Sequence, residues 1–293
     1  CTEAPRRGMV FLEKEHQMSV QDYLDEQQGK WAEETAVRYT KILLRFEKDV
    51  DLERLTASSL RAWIHSHGWG NSQRCLSLVA VKGYLRWAYG SKHPALEICE
   101  KRAKPAPQRA LKIPQIKQLI SSFNTMETKG IRDLAICTLM LDTGLRASEV
   151  CRLELRYLEM DERQLQVIVK GGRWAKAMFS ESTKRFLADW LYIRPKGGDV
   201  VFVSVGGLTP GKRLTRMGLQ RIIKYWGEAA GIGQLSPHDL RRTFAVTATR
   251  LGAPSRLVQL AGRWSSIKMV EVYTQTLEPA DFEKYFPVEG CGF

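Results

Sequence analysis

SPHDLRRT, Ser236–Thr243, begins a helical pattern that continues to Leu251. A histidine that directly follows a proline is typical of a helix start. His238 is followed three residues later by Arg241, and Arg242 stands beside it. The segment therefore predicts the start of a helix in which arginine is plentiful.

Three further segments in the second half of the chain combine polar and glycine residues. They are TGLRASEV (Thr143–Val150), VKGGRWAK (Val169–Lys176) and AGRWSSIKMVEVYT (Ala261–Thr274). The middle segment joins two β-prone runs, 164–169 and 174–179, around Gly171 and Gly172. Two such runs around a Gly-Gly pair predict a β-hairpin.

Apolar residues recur at helical spacing through the rest of the chain. In the second half these patterns predict helices over 114–124, 131–142, 182–191, 215–230, 255–261 and 266–274. The first hundred residues show only helical patterns, over 19–28, 35–46, 60–67 and 72–89. We therefore expect a fold that is mainly α with a small β-sheet. It comprises an α+β domain over 113–293 and a small all-α helical domain over 1–100.

Positive charge is concentrated after the first hundred residues. The chain has 45 Lys and Arg against 32 Asp and Glu, a net charge of +13. Residues 1–100 are balanced, whereas residues 101–112 carry no acid and these cations: Lys101, Arg102, Lys104, Arg109 and Lys112. Prolines and a lack of apolar periodicity make 101–112 a basic linker. Clustered cations favour a DNA partner, because binding releases counterions from phosphates; a soluble protein with surplus positive charge is the alternative.

The composition limits the class of protein. With 44% hydrophobic and 26% charged residues it is typical of a soluble globular chain, and no apolar stretch could span a membrane. The six cysteines are scattered without a CxxC pair, so we expect neither a disulfide framework nor a zinc site. We expect a cytoplasmic protein that uses no metal or other cofactor.

In their order along the chain, the four segments resemble the motifs of the tyrosine recombinases, the phage-type integrase family. The resemblance covers residues 114–277 and implies a core-binding, SAM-like DNA-binding domain over 1–100 followed by a linker and a catalytic domain over 113–293. It also implies the site residues. The catalytic set is Arg146, Lys170, His238, Arg241, Trp264 and Tyr273, with Glu149 in support.

The last segment departs from the family's commonest pattern. In that pattern a glycine directly precedes a histidine, and the histidine lies nine residues before the nucleophilic tyrosine. Here Trp264 occupies that place, nine residues before Tyr273, and Arg263 separates it from Gly262. Tryptophan is a known variant at this position in the family, although its indole N–H can only donate a hydrogen bond.

The chemistry of a phosphodiester explains why these residue types are needed. Negative charge grows on its non-bridging oxygens as the tyrosine attacks, and Arg146 and Arg241 offer planar, permanently charged groups to those oxygens. His238 is the candidate proton acceptor or hydrogen-bond donor, and Lys170 the candidate acid for the leaving 5′-oxygen. The 3′-phosphotyrosyl product stores the bond energy, so religation needs neither ATP nor metal.

Each residue also has a plainer interpretation. Arg146 and Glu149 are spaced as an ordinary helix surface pair, Lys170 as a turn lysine, and Tyr273 as a core aromatic. For the whole chain, two other functions remain: a type IB topoisomerase, which uses similar residues, and a DNA-binding protein that has lost the reaction. The joint occurrence of the motifs favours a site-specific recombinase or integrase of a mobile element.

The resemblance extends to the partners. We expect double-stranded DNA, contacted by the linker cations together with Arg173 and Arg242, and a homotetramer on paired DNA sites. DNA-bending accessory proteins are further candidate partners.

Overall fold

The chain divides into two compact units between residues 105 and 106. The computed structural model describes residues 19–103, 109–169, 172–206 and 210–274, and for 272–274 it describes the backbone alone. The division falls inside the predicted linker, and each unit has its own hydrophobic core.

The first unit is helical throughout its described residues. Its α-helices are α1 (Val20–Glu26), α2 (Glu33–Asp49), α3 (Ala57–Ser66) and α4 (Asn71–Tyr89), and short 3-10 helices occupy Leu52–Arg54 and Pro94–Glu97. Ser19 and Thr56 are the N-cap residues of α1 and α3, and each hydroxyl accepts the backbone N–H three residues later. α2 packs against α4, and its side chains Leu43 and Phe46 are fully buried in the core of this unit.

The second unit is arranged around one buried helix. Its α-helices are α5 (Ile113–Ser121), α6 (Thr128–Thr143), α7 (Ala147–Arg152), α8 (Glu181–Ile193), α9 (Arg216–Ala229), α10 (Pro237–Arg250), α11 (Ser255–Ala261) and α12 (Lys268–Thr274). Every residue from Leu134 to Met140 of α6 is buried, and α6 packs against α8 and α10. The predicted mainly-α fold is confirmed, and α7 adds a short helix that the periodicity did not predict.

The predicted hairpin is part of a three-stranded antiparallel sheet. β1 (Leu158–Glu159), β2 (Gln164–Ile168) and β3 (Trp174–Met178) lie in that order, with Ile168 opposite Trp174 at the hairpin end. β1 is only two residues long, so it left no alternating pattern to detect.

The linker is attached to the protein at both of its ends. In the first unit, the Asn71 amide donates to the Lys101 carbonyl at 2.9 Å and accepts the Ala103 N–H at 2.7 Å. In the second unit, the N–H of buried Leu111 donates to the Thr243 hydroxyl on α10 at 2.9 Å.

Within the described residues, no helix is both long and apolar enough to cross a membrane. Cys75, Cys99, Cys137 and Cys151 are free thiols.

Candidate active site

Arg241 lies where three parts of the second unit meet. It projects from α10, its side chain is 2% exposed, and its two Nη atoms donate to the carbonyls of Gly144 and, at 2.7 Å, Gly262. The guanidinium carbon lies 4.3 Å from the centre of the Trp264 ring, close enough for a cation–π interaction. Bonds to two separate backbone segments fix the direction of this buried charge.

The Gly144 carbonyl is presented by the turn that ends α6. Gly144 has a φ of +59°, and a Cβ at this position would lie 2.6 Å from the Phe244 ring. Only glycine satisfies both the left-handed backbone and the close aromatic contact. The glycine of TGLRASEV therefore lets the chain turn directly beneath α10 and start α7.

Arg146 occupies the N-cap of α7, where short polar residues are usually preferred. Glu149 performs the capping, because its Oε2 accepts the Arg146 backbone N–H at 2.9 Å. Its Oε1 accepts Arg146 Nη1 at 2.8 Å. The Glu149 side chain is 4% exposed and the Arg146 side chain 35% exposed. The pair is thus more than a surface ion pair: a buried carboxylate holds a guanidinium that reaches solvent.

Arg263 is a third arginine of this cluster and was not among the predicted site residues. Its Nη2 lies 3.6 Å from Glu149 Oε2 and donates to the Thr143 carbonyl at 3.0 Å. Burial lowers the pKa of its guanidinium, and the Glu149 carboxylate opposes that shift. The sequence marks Arg263 only as an interruption of the family pattern, because its contacts with Thr143 and Glu149 join residues more than a hundred positions apart.

Trp264 forms the apolar wall of the cluster. Its side chain is buried and stacks on Phe244, with ring centres 6.2 Å apart and planes 18° apart. A Cβ on Gly262 would lie 1.7 Å from the Trp264 ring, so this glycine makes room for the indole. Trp264 is therefore both a core residue and a contact of Arg241.

His238 lies on the first turn of α10 and is exposed. Its pKa is lowered from the ordinary value, first because neighbouring protein atoms exclude part of the water around the ring. The positive charges of Arg242, Arg241 and Arg146 lower the pKa further, and Asp239 acts in the opposite direction. The imidazole is consequently neutral at neutral pH and able to accept a proton.

Two predicted catalytic residues are described incompletely. The backbone of Tyr273 lies in α12, which packs against α10 and α11, and its side chain is outside the described residues. Lys170 also lies outside them, and in the sequence it falls between β2 and β3. The structure thus brings together Arg146, Glu149, His238, Arg241 and Trp264.

The predicted DNA-binding cations have different surroundings. Lys101, Arg102, Lys112 and Arg173 are exposed, and Lys104 is outside the described residues. Arg242 forms an ion pair with Asp239 at 3.3 Å. Arg109 donates hydrogen bonds from both Nη atoms to the carbonyls of Ile232 and Gln234, so part of its donor capacity is already used by the protein's own backbone.

Metal-binding residue types are dispersed over the described parts of the chain. No three His, Cys, Asp or Glu side chains there lie close enough to hold a metal ion.

Comparison with known proteins gives one family. The model of the phage integrase family matches residues 109–279. The tyrosine recombinase XerC of Corynebacterium glutamicum is 28% identical over 237 residues, which cover 76% of this chain and 75% of that protein. XerC of Corynebacterium efficiens is 30% identical over 237 residues, which cover 76% of this chain and 74% of that protein.

Solved structures share the fold at lower identity. The XerH site-specific recombinase bound to palindromic difH substrate, a post-cleavage complex, matches with a TM-score of 0.68 and 18% identity over 87% of this chain and 80% of that one. A lambda integrase dimer bound to a COC′ core site matches with a TM-score of 0.71 and 14% identity over 87% of this chain and 93% of that one.

Proposed function

The chain belongs to the phage integrase family, and we propose that Arg146 and Arg241 bind the scissile phosphate of a DNA duplex while Tyr273 attacks it. The chain is a tyrosine-type site-specific DNA recombinase, which cuts and rejoins DNA through a phosphotyrosyl intermediate. The observation that carries the proposed roles is the convergence of the Gly144 turn, α10 and the Gly262 turn on Arg241.

The two arginines suit complementary parts of the phosphate site. Arg241 is buried and held by two carbonyls, so its charge is already oriented before DNA binds. Arg146 reaches solvent and is held by one carboxylate, so its guanidinium can turn toward a bound phosphate. Preoriented positive charge stabilises the growing negative charge of the transition state without reorganisation of solvent.

Proton transfer is assigned to His238 and Lys170. The lowered pKa of His238 supports a neutral imidazole that accepts the Tyr273 proton. Lys170 is proposed to protonate the leaving 5′-oxygen. The antiparallel pairing of β2 with β3 supports that role, because Lys170 falls in the sequence between their last paired residues, Ile168 and Trp174.

The activity is tested with a nicked suicide substrate, in which the cleaved strand end diffuses away and religation is prevented. We expect a protein–DNA adduct that survives denaturation. Joining of two DNA sites in trans then distinguishes recombination from the nicking and closing of a topoisomerase, which only relaxes a supercoiled plasmid. A chain that binds DNA and forms no adduct would contradict the catalytic assignment.

The state of His238 gives a prediction for pH. We expect the cleavage rate to fall on acidification with a midpoint below 6.5, the ordinary pKa of histidine. The reason is that a lowered pKa keeps the imidazole neutral to more acidic pH. Arg242→Gln removes one positive neighbour, so the decline is expected to move to higher pH. The measurement is the single-turnover rate against pH at saturating DNA.

The matched control for this prediction is Arg185→Gln, which removes an exposed arginine of α8 and is expected to leave the pH profile unchanged. A decline with its midpoint above 6.5 in the unmodified chain, or a downward shift in Arg242→Gln, would contradict the assignment of His238.

We also propose that the first unit binds DNA, although residues 1–100 have no net charge. Arg38, Lys41 and Arg45 line one groove with Trp69 and Gln73. No acid among the described residues lines this groove, although Arg38 also pairs with Glu34 at 3.3 Å. A local cluster of cations can bind phosphates without a net charge on the whole unit.

The basic linker gives a prediction for salt dependence. We expect replacement of Lys101, Arg102, Lys104 and Lys112 by Gln to weaken binding to unrelated and cognate duplexes about equally. Arg109 stays in place because it bonds to carbonyls of its own unit. The slope of log affinity against log salt is expected to flatten by about three units, since each phosphate contact contributes a little under one. Fluorescence titrations at several salt concentrations give the slope.

A charge-matched control replaces four exposed cations outside the linker, Lys117, Arg185, Lys196 and Lys224. Its slope is expected to change less than that of the linker variant. An unchanged slope in the linker variant would show that the linker does not contact DNA.

The proposal includes a homotetramer on paired DNA sites. Leu251, Leu257 and Leu260, at the end of α10 and on α11, are 72%, 56% and 60% exposed. Neighbouring exposed apolar side chains support an interface between copies of the chain.

DNA-bending accessory proteins and a cytoplasmic location stay predictions, the latter supported by the free thiols and the DNA substrate.

A further inference from the structure

Arg263 stands at a position where the backbone favours glycine. Its φ is +57°, in the left-handed region that L residues seldom adopt. In the family pattern that the sequence resembles, glycine commonly occupies this position, directly before the residue that aligns with Trp264. An arginine retained in a strained conformation indicates that its side chain has a role that glycine cannot fill.

The guanidinium of Arg263 is immobilised by the protein. It donates to the Ala261 carbonyl at 2.7 Å and to the Thr143 carbonyl at 3.0 Å, and the side chain is 4% exposed. Arg146 differs, because its side chain is 35% exposed. Of the two arginines beside Glu149, one is therefore fixed and buried and the other is open to solvent.

The Glu149 carboxylate lies between these two guanidiniums. Oε1 accepts Arg146 Nη1 at 2.8 Å, and Oε2 lies 3.6 Å from Arg263 Nη2. A buried carboxylate that loses its counter-charge is strongly destabilised. If Arg146 were the only counter-ion, it could not turn to a phosphate without leaving Glu149 uncompensated.

We propose that Arg263 is a positioning residue, which keeps Glu149 charge-compensated and so releases the Arg146 guanidinium to the scissile phosphate. This inference rests on the proposed function, in which Arg146 binds that phosphate. Glu149 continues to cap α7 through the Arg146 backbone N–H while the Arg146 side chain exchanges carboxylate for phosphate.

The test is a double-variant cycle between Arg263 and Glu149. Arg263→Gln and Arg263→Gly are each expected to lower single-turnover cleavage of the suicide substrate by about tenfold or more, because Arg146 is then held by Glu149. Adding Glu149→Gln to either variant is expected to raise its cleavage rate about tenfold, which is the size of coupling found between contacting charges. Arg263→Lys, which keeps the charge, is expected to retain more activity than either.

Arg263→Gly separates this role from a structural one. It relieves the left-handed strain, so its thermal unfolding midpoint is expected to be at least that of Arg263→Gln while its cleavage is equally impaired. In the Arg263→Gln background, Glu181→Gln, which neutralises an exposed acid of α8, is expected to restore nothing.

Two results would overturn the proposal: a double variant that cleaves no faster than Arg263→Gln alone, or an Arg263→Gly variant as active as the unmodified chain. The unmodified chain distinguishes the two levels of inference. If it forms no adduct, the proposed function fails; if it forms one without rescue in the double variant, only the role of Arg263 fails.

Discussion

Tyr273→Phe is expected to abolish covalent capture of the suicide substrate and to leave duplex binding within a few fold. The substitution removes only the attacking oxygen, whereas the arginines, the linker and the first unit keep their contacts with DNA. Binding is measured by titration of labelled duplex, and capture by the protein–DNA band that survives denaturing electrophoresis. Loss of capture with retained binding assigns the defect to the nucleophile.

The control concerns a rival tyrosine twelve residues further along. Tyr285→Phe is expected to form the adduct at the rate of the unmodified chain. If capture persists in Tyr273→Phe and disappears in Tyr285→Phe, the nucleophile has been misassigned.

Arg241→Ala and Arg146→Ala are each expected to slow cleavage by at least about a hundredfold, the effect of deleting one donor that stabilises transition-state charge. Their effects on stability should differ. Arg241→Ala leaves the carbonyls of Gly144 and Gly262 without their donor, at roughly 1–3 kcal/mol for each buried group. Arg146→Ala leaves Glu149 beside Arg263, so a smaller loss is expected. Single-turnover kinetics and thermal unfolding measure the two effects separately.

Arg241→Lys tests whether the shape of the guanidinium matters as well as its charge. An ammonium group cannot serve two separated carbonyls and a phosphate in one plane, so we expect a severe defect in this variant too.

Excess EDTA is expected to leave cleavage by the unmodified chain intact, because fixed guanidiniums supply the positive charge. Cleavage that EDTA stops and a divalent cation restores would contradict this mechanism.

The sequence predicted the longer elements well and the short ones poorly. Proline at the start of α10 and glycine at the end of α6 mark those helices locally, and both appear at the predicted ends within about one residue. α7 has six residues and β1 two, and both are shorter than the stretch over which a recurring apolar pattern can be recognised.

Membership of the candidate site could be predicted from residue type and order, but contacts between distant residues could not. Arg241 and Trp264 were chosen from their motifs, and the fold brings them into the cation–π contact that the sequence did not predict. Arg263 was missed because its backbone angle and its approach to Glu149 have no local signature. Arg109 was grouped with the linker cations because its bonds to the carbonyls of Ile232 and Gln234 link distant parts of the chain.

The hydrogen bond from Leu111 to Thr243 attaches the end of the linker to the helix of the candidate site. Thr243 is two residues from Arg241 on the same helix, and its hydroxyl also bonds to the Asp239 carbonyl one turn earlier. One hydroxyl therefore joins the last residues of the linker to a regular helix and not to a loop, and the same helix carries His238 and Arg241.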